Sequence, residues 1–134
     1  MGQPRHRTPG LSVVCPYCHR PARLYHWEDD GYPYPADWGP GWKCADCDAY
    51  VRCYRGTTTP LGTLADAETR HWRSLAHRAL DPLWQAGPES RSAVYRWLAG
   101  QLGVPESEAH IGLLDPEGCR KLVAAVAARR RGAS

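Results

Sequence analysis

Two cysteine pairs are the residues of this chain best suited to chemistry. Two residues separate Cys15 from Cys18, and the same spacing separates Cys44 from Cys47. That gap lets one tight turn aim both sulfurs at a common point, so two such turns supply four thiolates for a tetrahedral metal site. The four cysteines are predicted to hold one structural Zn2+, although a four-sulfur site also suits iron. Disulfide pairing of the same cysteines is the alternative, and it suits a secreted chain.

The rest of the sequence shows no sign of export. The first ten residues are rich in Arg, His, Pro and Gly and contain no apolar signal segment. No uncharged apolar run approaches the ~20 residues that span a membrane. We therefore expect a soluble, cytoplasmic protein without a membrane partner, in which cysteines stay reduced or bind metal.

The charge of the chain is only weakly informative. Its formal net charge is +3, from 17 Lys and Arg against 14 Asp and Glu. Four thiolates around a divalent zinc bring that balance to about +1, which does not by itself indicate a nucleic-acid partner. All the cations except Lys43 and Lys121 are arginine, whose planar fork suits phosphates and base edges. Arginine enrichment is equally typical of a GC-rich genome, and both explanations stay open.

The pattern of apolar and turn residues predicts an α+β fold, with a small four-cysteine zinc-ribbon β module followed by a three-helix segment. The strands are expected within residues 22–27, 41–44 and 48–54. Residues 28–40 form an exposed loop rich in Pro and Gly, whose aromatic and acidic side chains suit local packing or a protein contact. The expected divisions are a flexible basic arm (1–10), the zinc ribbon (11–56), a helical segment packed on the ribbon (57–130) and a tail (131–134).

Start and stop signals predict three helices. The first follows a start box at Thr63 and Asp66 and ends near Leu80, because Pro82 disfavours a helical conformation at the residue before it. The second runs from residues 87–88 to about 102, and the third begins at residues 115–117. The apolar positions expected to face the core are Leu64, Trp72, Leu75, Ala76, Ala79 and, if the helix continues, Leu83 for the first helix, Val94, Tyr95, Leu98 and Leu102 for the second, and Cys119, Leu122, Val123 and Val126 for the third.

Some residues that resemble functional motifs or metal ligands are explained more simply by structural roles. Residues 98–104, at the end of the second predicted helix, look like the first helix and turn of a helix-turn-helix motif, but Pro105, Ala109 and Gly112 suit its second helix poorly. His19 is expected on the surface of the first cysteine turn. Cys53 is read as a small buried residue, with a role as alternate metal ligand left open.

With these motifs in view, the chain resembles a bacterial and phage family known as the zinc-finger-containing domain of unknown function. The resemblance spans residues 15–126. It rests on CPYC at 15–18, CDAYVRC at 47–53, PLGTLAD at 60–66, AHRALDPLW at 76–84, SRSAVYRWLAGQLG at 90–103 and HIGLLD at 110–115. In that family the fourth metal cysteine opens the CDAYV run, which implies Cys47 here. Family members tend to read Gly-Cys-His where this chain has Arg52-Cys53-Tyr54, so any role of that histidine is absent.

Three functional hypotheses follow. The first is a non-enzymatic zinc module that binds nucleic acid in phage or bacterial DNA or RNA metabolism, with contacts from Arg52, Arg55, Arg70, Arg73, His77, Arg129 and Arg130. Of these, Arg70, Arg73 and His77 are expected to line the solvent face of the first helix. The second hypothesis is a protein-interaction adaptor that uses the aromatic loop. The third is a metal-dependent hydrolase or nuclease built on His77, Asp81, His110 and Asp115, which a fully cysteine-ligated zinc disfavours because it leaves no open position.

Overall fold

The structure is a computed structural model, and it describes residues 13–132. The chain divides into two compact units at the boundary between Ala67 and Glu68. We call them the ribbon unit and the helical unit. The predicted arm at residues 1–10 and the end of the predicted tail, residues 133–134, lie outside the described residues. The expectation that the helical segment packs on the ribbon stays a prediction.

The ribbon unit is built on a three-stranded antiparallel sheet in the order β1-β2-β3. Its strands are β1 (Arg23–Tyr25), β2 (Gly41–Cys44) and β3 (Ala49–Arg52), each inside a range predicted from the sequence. Leu24 lies opposite Trp42, and Trp42 lies opposite Val51. Because side chains alternate between the faces of a sheet, these residues share one face with Cys44 and Ala49, and that face carries the core of the unit.

The ribbon unit extends beyond the predicted limit at residue 56. Ala65 pairs with Tyr50 of β3, and Pro60 forms a bridge with Cys53. Leu64 is fully buried in the same core as Leu24 and Trp42. The expectation that Leu64 belongs to the face of the first helix is therefore wrong, because the chain returns along β3 before that helix begins.

The aromatic loop at residues 28–40 packs against itself. Tyr32 Oη donates to the Gly39 carbonyl at 2.6 Å and accepts from the Trp38 main-chain N–H at 3.0 Å. The Tyr34 ring stacks on Trp38 with 5.3 Å between ring centroids. Gly41 makes room for that cluster, since a Cβ there would lie 2.8 Å from Tyr34 Cε2. The loop thus shows the local packing that its composition suggested.

The helical unit contains α1 (Ala67–Gln85), α2 (Arg91–Leu102) and α3 (Pro116–Arg130). Two short 3-10 turns, Glu106–Glu108 and Ile111–Leu113, connect α2 to α3. No α-helix occupies the connection, so the second half of a helix-turn-helix is absent there. Among residues 13–132, no helix combines the length and the apolar character that a membrane span requires.

The predicted end of α1 near Leu80 is wrong, because the helix continues through Pro82 to Gln85. Proline removes the N–H that would bond to the carbonyl of Arg78, and Arg78 is exposed to water. Leu83 and Trp84, on the far side of the proline, pack against the core around the fully buried Leu80. This packing stabilises the last turn against the local cost of proline.

The buried face of α1 is rotated from the predicted one. Its buried residues are Thr69, Ala76 and Leu80, whereas Leu75 is only partly buried and lies outside the core cluster. Trp72, Ala79 and Leu83 do pack against that cluster, as expected. Leu64 belongs to the ribbon core and not to α1, so the apolar arc of the helix is centred away from Leu75.

The ends of α2 and α3 follow capping chemistry. Ser90 Oγ accepts from the Ala93 N–H at 3.1 Å, so α2 begins after Ser90 and not at the predicted residues 87–88. Gly103 ends α2 with φ of 69°, as the stop signal predicted. Asp115 caps α3 through a 2.8 Å hydrogen bond from the Gly118 N–H. The helical core then closes around the fully buried residues Val94, Leu98, Cys119 and Leu122.

Candidate metal centre

The first cysteine turn runs from Cys15 to Cys18. The His19 N–H donates to the Cys15 carbonyl at 2.8 Å, and the Cys15 N–H donates to the Arg20 carbonyl at 2.9 Å. These bonds fold the segment back on itself so that both sulfurs face the same side. His19 adopts φ of 65° to complete the turn, a left-handed conformation that is costly for a residue with a side chain. His19 itself is exposed, as expected.

The second cysteine turn links β2 to β3. Cys44 is the last residue of β2, and Cys47 lies in the turn before Ala49 opens β3. Asp48 adopts φ of 50°, which repeats the left-handed residue found directly after Cys18. Both turns therefore place the same backbone conformation immediately after their second cysteine.

The two turns bring four sulfur atoms together. The Sγ atoms of Cys15, Cys18, Cys44 and Cys47 all lie within 4.8 Å of one another. The Sγ atoms of Cys18 and Cys44 are 3.7 Å apart. A tetrahedron with zinc–sulfur bonds of about 2.3 Å requires sulfur–sulfur distances of about 3.8 Å. The cysteines are free thiols and not disulfides, and their spacing fits one zinc ion.

Electrostatics in the cluster favour a cation. The Arg20 main-chain N–H donates to Cys18 Sγ, and this contact is the main reason that the pKa of Cys18 falls to about 6. Loss of hydration raises the pKa of Cys47 to about 12, and contacts with the other sulfurs add to that rise. Cys18 therefore loses its proton readily, whereas Cys47 resists deprotonation beside it. A divalent cation removes this resistance and holds all four ligands as thiolates.

The remaining cysteines lie apart from this cluster. Cys53 packs at the edge of the ribbon core, where burial raises its pKa to about 11. Cys119 is fully buried on α3 among the core residues of the helical unit. Within the described residues, the four-cysteine cluster is the one place where three or more potential metal ligands converge. Cys119 is therefore buried as expected, whereas Cys53 is only partly buried and lies outside the metal cluster.

The arginines predicted on the helices are largely engaged within the protein. Arg73 Nε donates to the Leu114 carbonyl at 2.9 Å, so Arg73 lies beside the buried face of α1 and not opposite it. Arg70 is partly buried as well. Arg129 contacts Glu89 and lies 4.6 Å over the Trp97 ring, whereas Arg130 is exposed. Nucleic-acid contacts by these residues stay a prediction, but the expected solvent placement of Arg73 is wrong.

The four residues of the hydrolase hypothesis do not form one site. His77 Nδ1 lies 3.1 Å from Asp81 Oδ2 on the surface of α1. The His110 ring lies against Tyr95, with 5.8 Å between centroids, and Asp115 is occupied as the cap of α3. These residues lie on helix surfaces and at helix ends, and within residues 13–132 they form no group of three or more potential metal ligands.

Sequence reasoning missed a cleft on the ribbon unit, at the end of the β2–β3 hairpin opposite Cys44 and Cys47. Its volume is about 590 Å³, and we call it the ribbon cleft. Its lining includes Trp38, Pro40, Arg52, Tyr54, Arg55 and Leu61. The signal was the strand register: Gly41 pairs with Arg52, so the residues before β2 run beside those after β3.

A three-stranded sheet with two cysteine turns that converge on one tetrahedral site defines a zinc-finger module of the ribbon type. The comparison with known families agrees, because the zinc-finger-containing domain family matches residues 11–129. The chain belongs to that family. No curated protein and no solved structure matched in the corresponding comparisons.

Proposed function

We propose that this protein is a non-catalytic module, stabilised by one zinc ion, that binds nucleic acid in phage or bacterial DNA or RNA metabolism. The observation that carries the proposal is the pair Arg52 and Arg55 at the ribbon cleft. Both are exposed, and neither forms an ion pair with a carboxylate among residues 13–132. Cations without carboxylate partners beside exposed aromatic rings suit a phosphate backbone and its bases.

A structural role for the metal supports the non-catalytic part of the proposal. Cys15 and Cys44 are buried, and four thiolates fill the coordination of a tetrahedral ion. Such a site leaves no open position for a substrate or an activated water molecule. The proposal also places the protein in the cytoplasm, where a reducing environment keeps metal-binding thiols intact.

The test is an affinity measurement across a series of salt concentrations. Phosphate contacts release counterions, so the affinity for DNA or RNA should fall steeply as salt rises. Replacing Arg52 and Arg55 together with alanine should make the slope of log affinity against log salt shallower by about 1.8 on duplex DNA or about 1.4 on a single strand. Arg23→Ala with Arg96→Ala, which removes two cations that contact carboxylates, is the matched control.

Other results of these experiments would contradict the proposed function. If no nucleic acid binds in low salt, the proposal fails and the adaptor hypothesis takes its place. An adaptor that docks through aromatic side chains would bind a protein partner with little dependence on salt. Metal-dependent nucleolysis that disappears in His110→Ala would instead overturn the non-catalytic assignment.

A further inference from the structure

Three features of the ribbon cleft point to a particular kind of nucleic acid. Large apolar side chains are exposed there, with Trp38 at 47 %, Tyr54 at 54 % and Leu61 at 42 % of their maximal accessible surface. Two arginines lie at the same cleft. Its volume of about 590 Å³ lies in the range of small-molecule sites.

We propose that the ribbon cleft is a subsite for one nucleotide of a single-stranded nucleic acid. The Tyr54 ring stacks on the base, Arg55 pairs with the adjoining phosphate, and the Arg52–Trp38 pair forms the facing wall. This inference rests on the proposed function and specifies the strand form that the cleft recognises.

Tyr54 has a fixed backbone and an unoccupied ring. Its N–H donates to the Thr59 carbonyl at 2.9 Å, and its carbonyl accepts from both the N–H and the hydroxyl of Thr57. Its side chain makes no hydrogen bond or ring contact with any residue in the described part of the chain. The fixed backbone anchors the ring at the cleft, its faces are open to a base, and stacking tolerates any base.

The wall at Trp38 is also ordered before any ligand arrives. The Arg52 guanidinium lies over the Trp38 ring, 5.3 Å from its centroid. Tyr34 stacks on the same ring, and the Trp38 N–H bonds to Tyr32 Oη. Arg52 thus presents a positioned charge and a flat guanidinium surface on which a base can stack.

The charge of the cleft suits one phosphate at a time. Its carboxylate is that of Asp37, whose Oδ1 accepts from the Gly39 N–H at 3.0 Å and so holds a turn of the loop. Arg52 and Arg55 outweigh this single negative charge. A duplex presents dense phosphate and keeps its base faces inside the stack, so it would leave the exposed rings unused. A single strand offers both a free base face and a phosphate.

The experiment compares a labelled single strand of about 12 nucleotides with a hairpin duplex of the same length by fluorescence anisotropy. The zinc-loaded full chain should prefer the single strand. Tyr54→Leu should weaken that binding by roughly 5- to 150-fold, whereas Tyr54→Phe should keep it. Trp27→Leu removes a ring of similar exposure outside the cleft and should leave affinity unchanged. Arg55→Ala should make the single-strand salt slope shallower by about 0.7, whereas Arg55→Lys should preserve it.

A second measurement needs no variant. A single strand that carries 5-bromouracil, photo-crosslinked to the unaltered protein, should give adducts within residues 52–56. The proposal is overturned if duplex binds as well as single strand, if Tyr54→Leu and Trp27→Leu lose affinity equally, or if the adducts map to the helical unit. In those cases salt-dependent nucleic-acid binding would still stand. Complete absence of such binding would remove the proposed function as well.

Discussion

Removing zinc should unfold the ribbon unit and leave the helical unit folded. The ribbon core contains three large buried side chains besides the ligands, Leu24, Trp42 and Leu64. Together they contribute about 5–9 kcal/mol of apolar burial, less than the about 10–16 kcal/mol that a structural zinc supplies. The helical core around Leu98 and Leu122 contains none of the four metal ligands.

Alkylation of cysteines, followed by mass spectrometry, distinguishes the two units in one sample. Cys53 reports on the ribbon and Cys119 on the helical core. With zinc bound, both should react slowly, because burial raises the pKa of each thiol. After chelation, Cys53 should react at the rate of an unfolded thiol, while Cys119 should stay protected.

Two variants check the assignment of the metal ligands. Cys44→Ser should lose the single equivalent of zinc and expose Cys53 without a chelator. Cys53→Ser should keep that zinc, because Cys53 lies outside the four-sulfur cluster. The reasoning is refuted if Cys53 stays protected in the chelated protein, or if Cys119 becomes reactive together with it.

Three further substitutions test local features. Gly87→Ala should lower the melting temperature, because its Cβ would lie 2.4 Å from the Leu83 carbonyl oxygen; an unchanged melting curve would show that the end of α1 relaxes freely. Arg73→Ala should lower the free energy of unfolding by about 1 kcal/mol, because the Leu114 carbonyl would lose the donor that Arg73 provides. Replacing the exposed Arg130 with alanine should change it by no more than about 0.5 kcal/mol. Equal effects of the two substitutions in denaturant titrations would contradict the contact. His19→Gly should stabilise the zinc-bound protein by about 1 kcal/mol by relieving a positive φ, and weaker zinc retention in competition with a chelator would argue against that strain.

The features that the sequence predicted well are those set by local chemistry. The metal ligands follow from the two-residue spacing of Cys15 with Cys18 and of Cys44 with Cys47. The cap at Asp115 and the stop at Gly103 likewise depend on neighbours within a few residues.

The failures concern contacts between distant parts of the chain. Pro82 signalled a helix end, but the packing of Leu83 and Trp84 on the core outweighs that local signal. The helical spacing of Arg73 indicated a solvent-facing position. The fold instead brings the Leu114 carbonyl, forty-one residues away in the sequence, within hydrogen-bond distance of its side chain. The ribbon cleft depends on the β2–β3 register and on a return of the chain past residue 60, which no local pattern specifies.

The boundary between Ala67 and Glu68 has a consequence for how the protein is made. The last strand-like pairing of the ribbon unit is that of Ala65 with Tyr50, and its fourth metal ligand, Cys47, is translated earlier still. Because domains fold as units during synthesis, N-terminal first, the ribbon can take up its metal on the ribosome before the helical unit is complete. The helical core, by contrast, waits for Val126 near the end of α3, so the nascent chain acquires its two units in sequence.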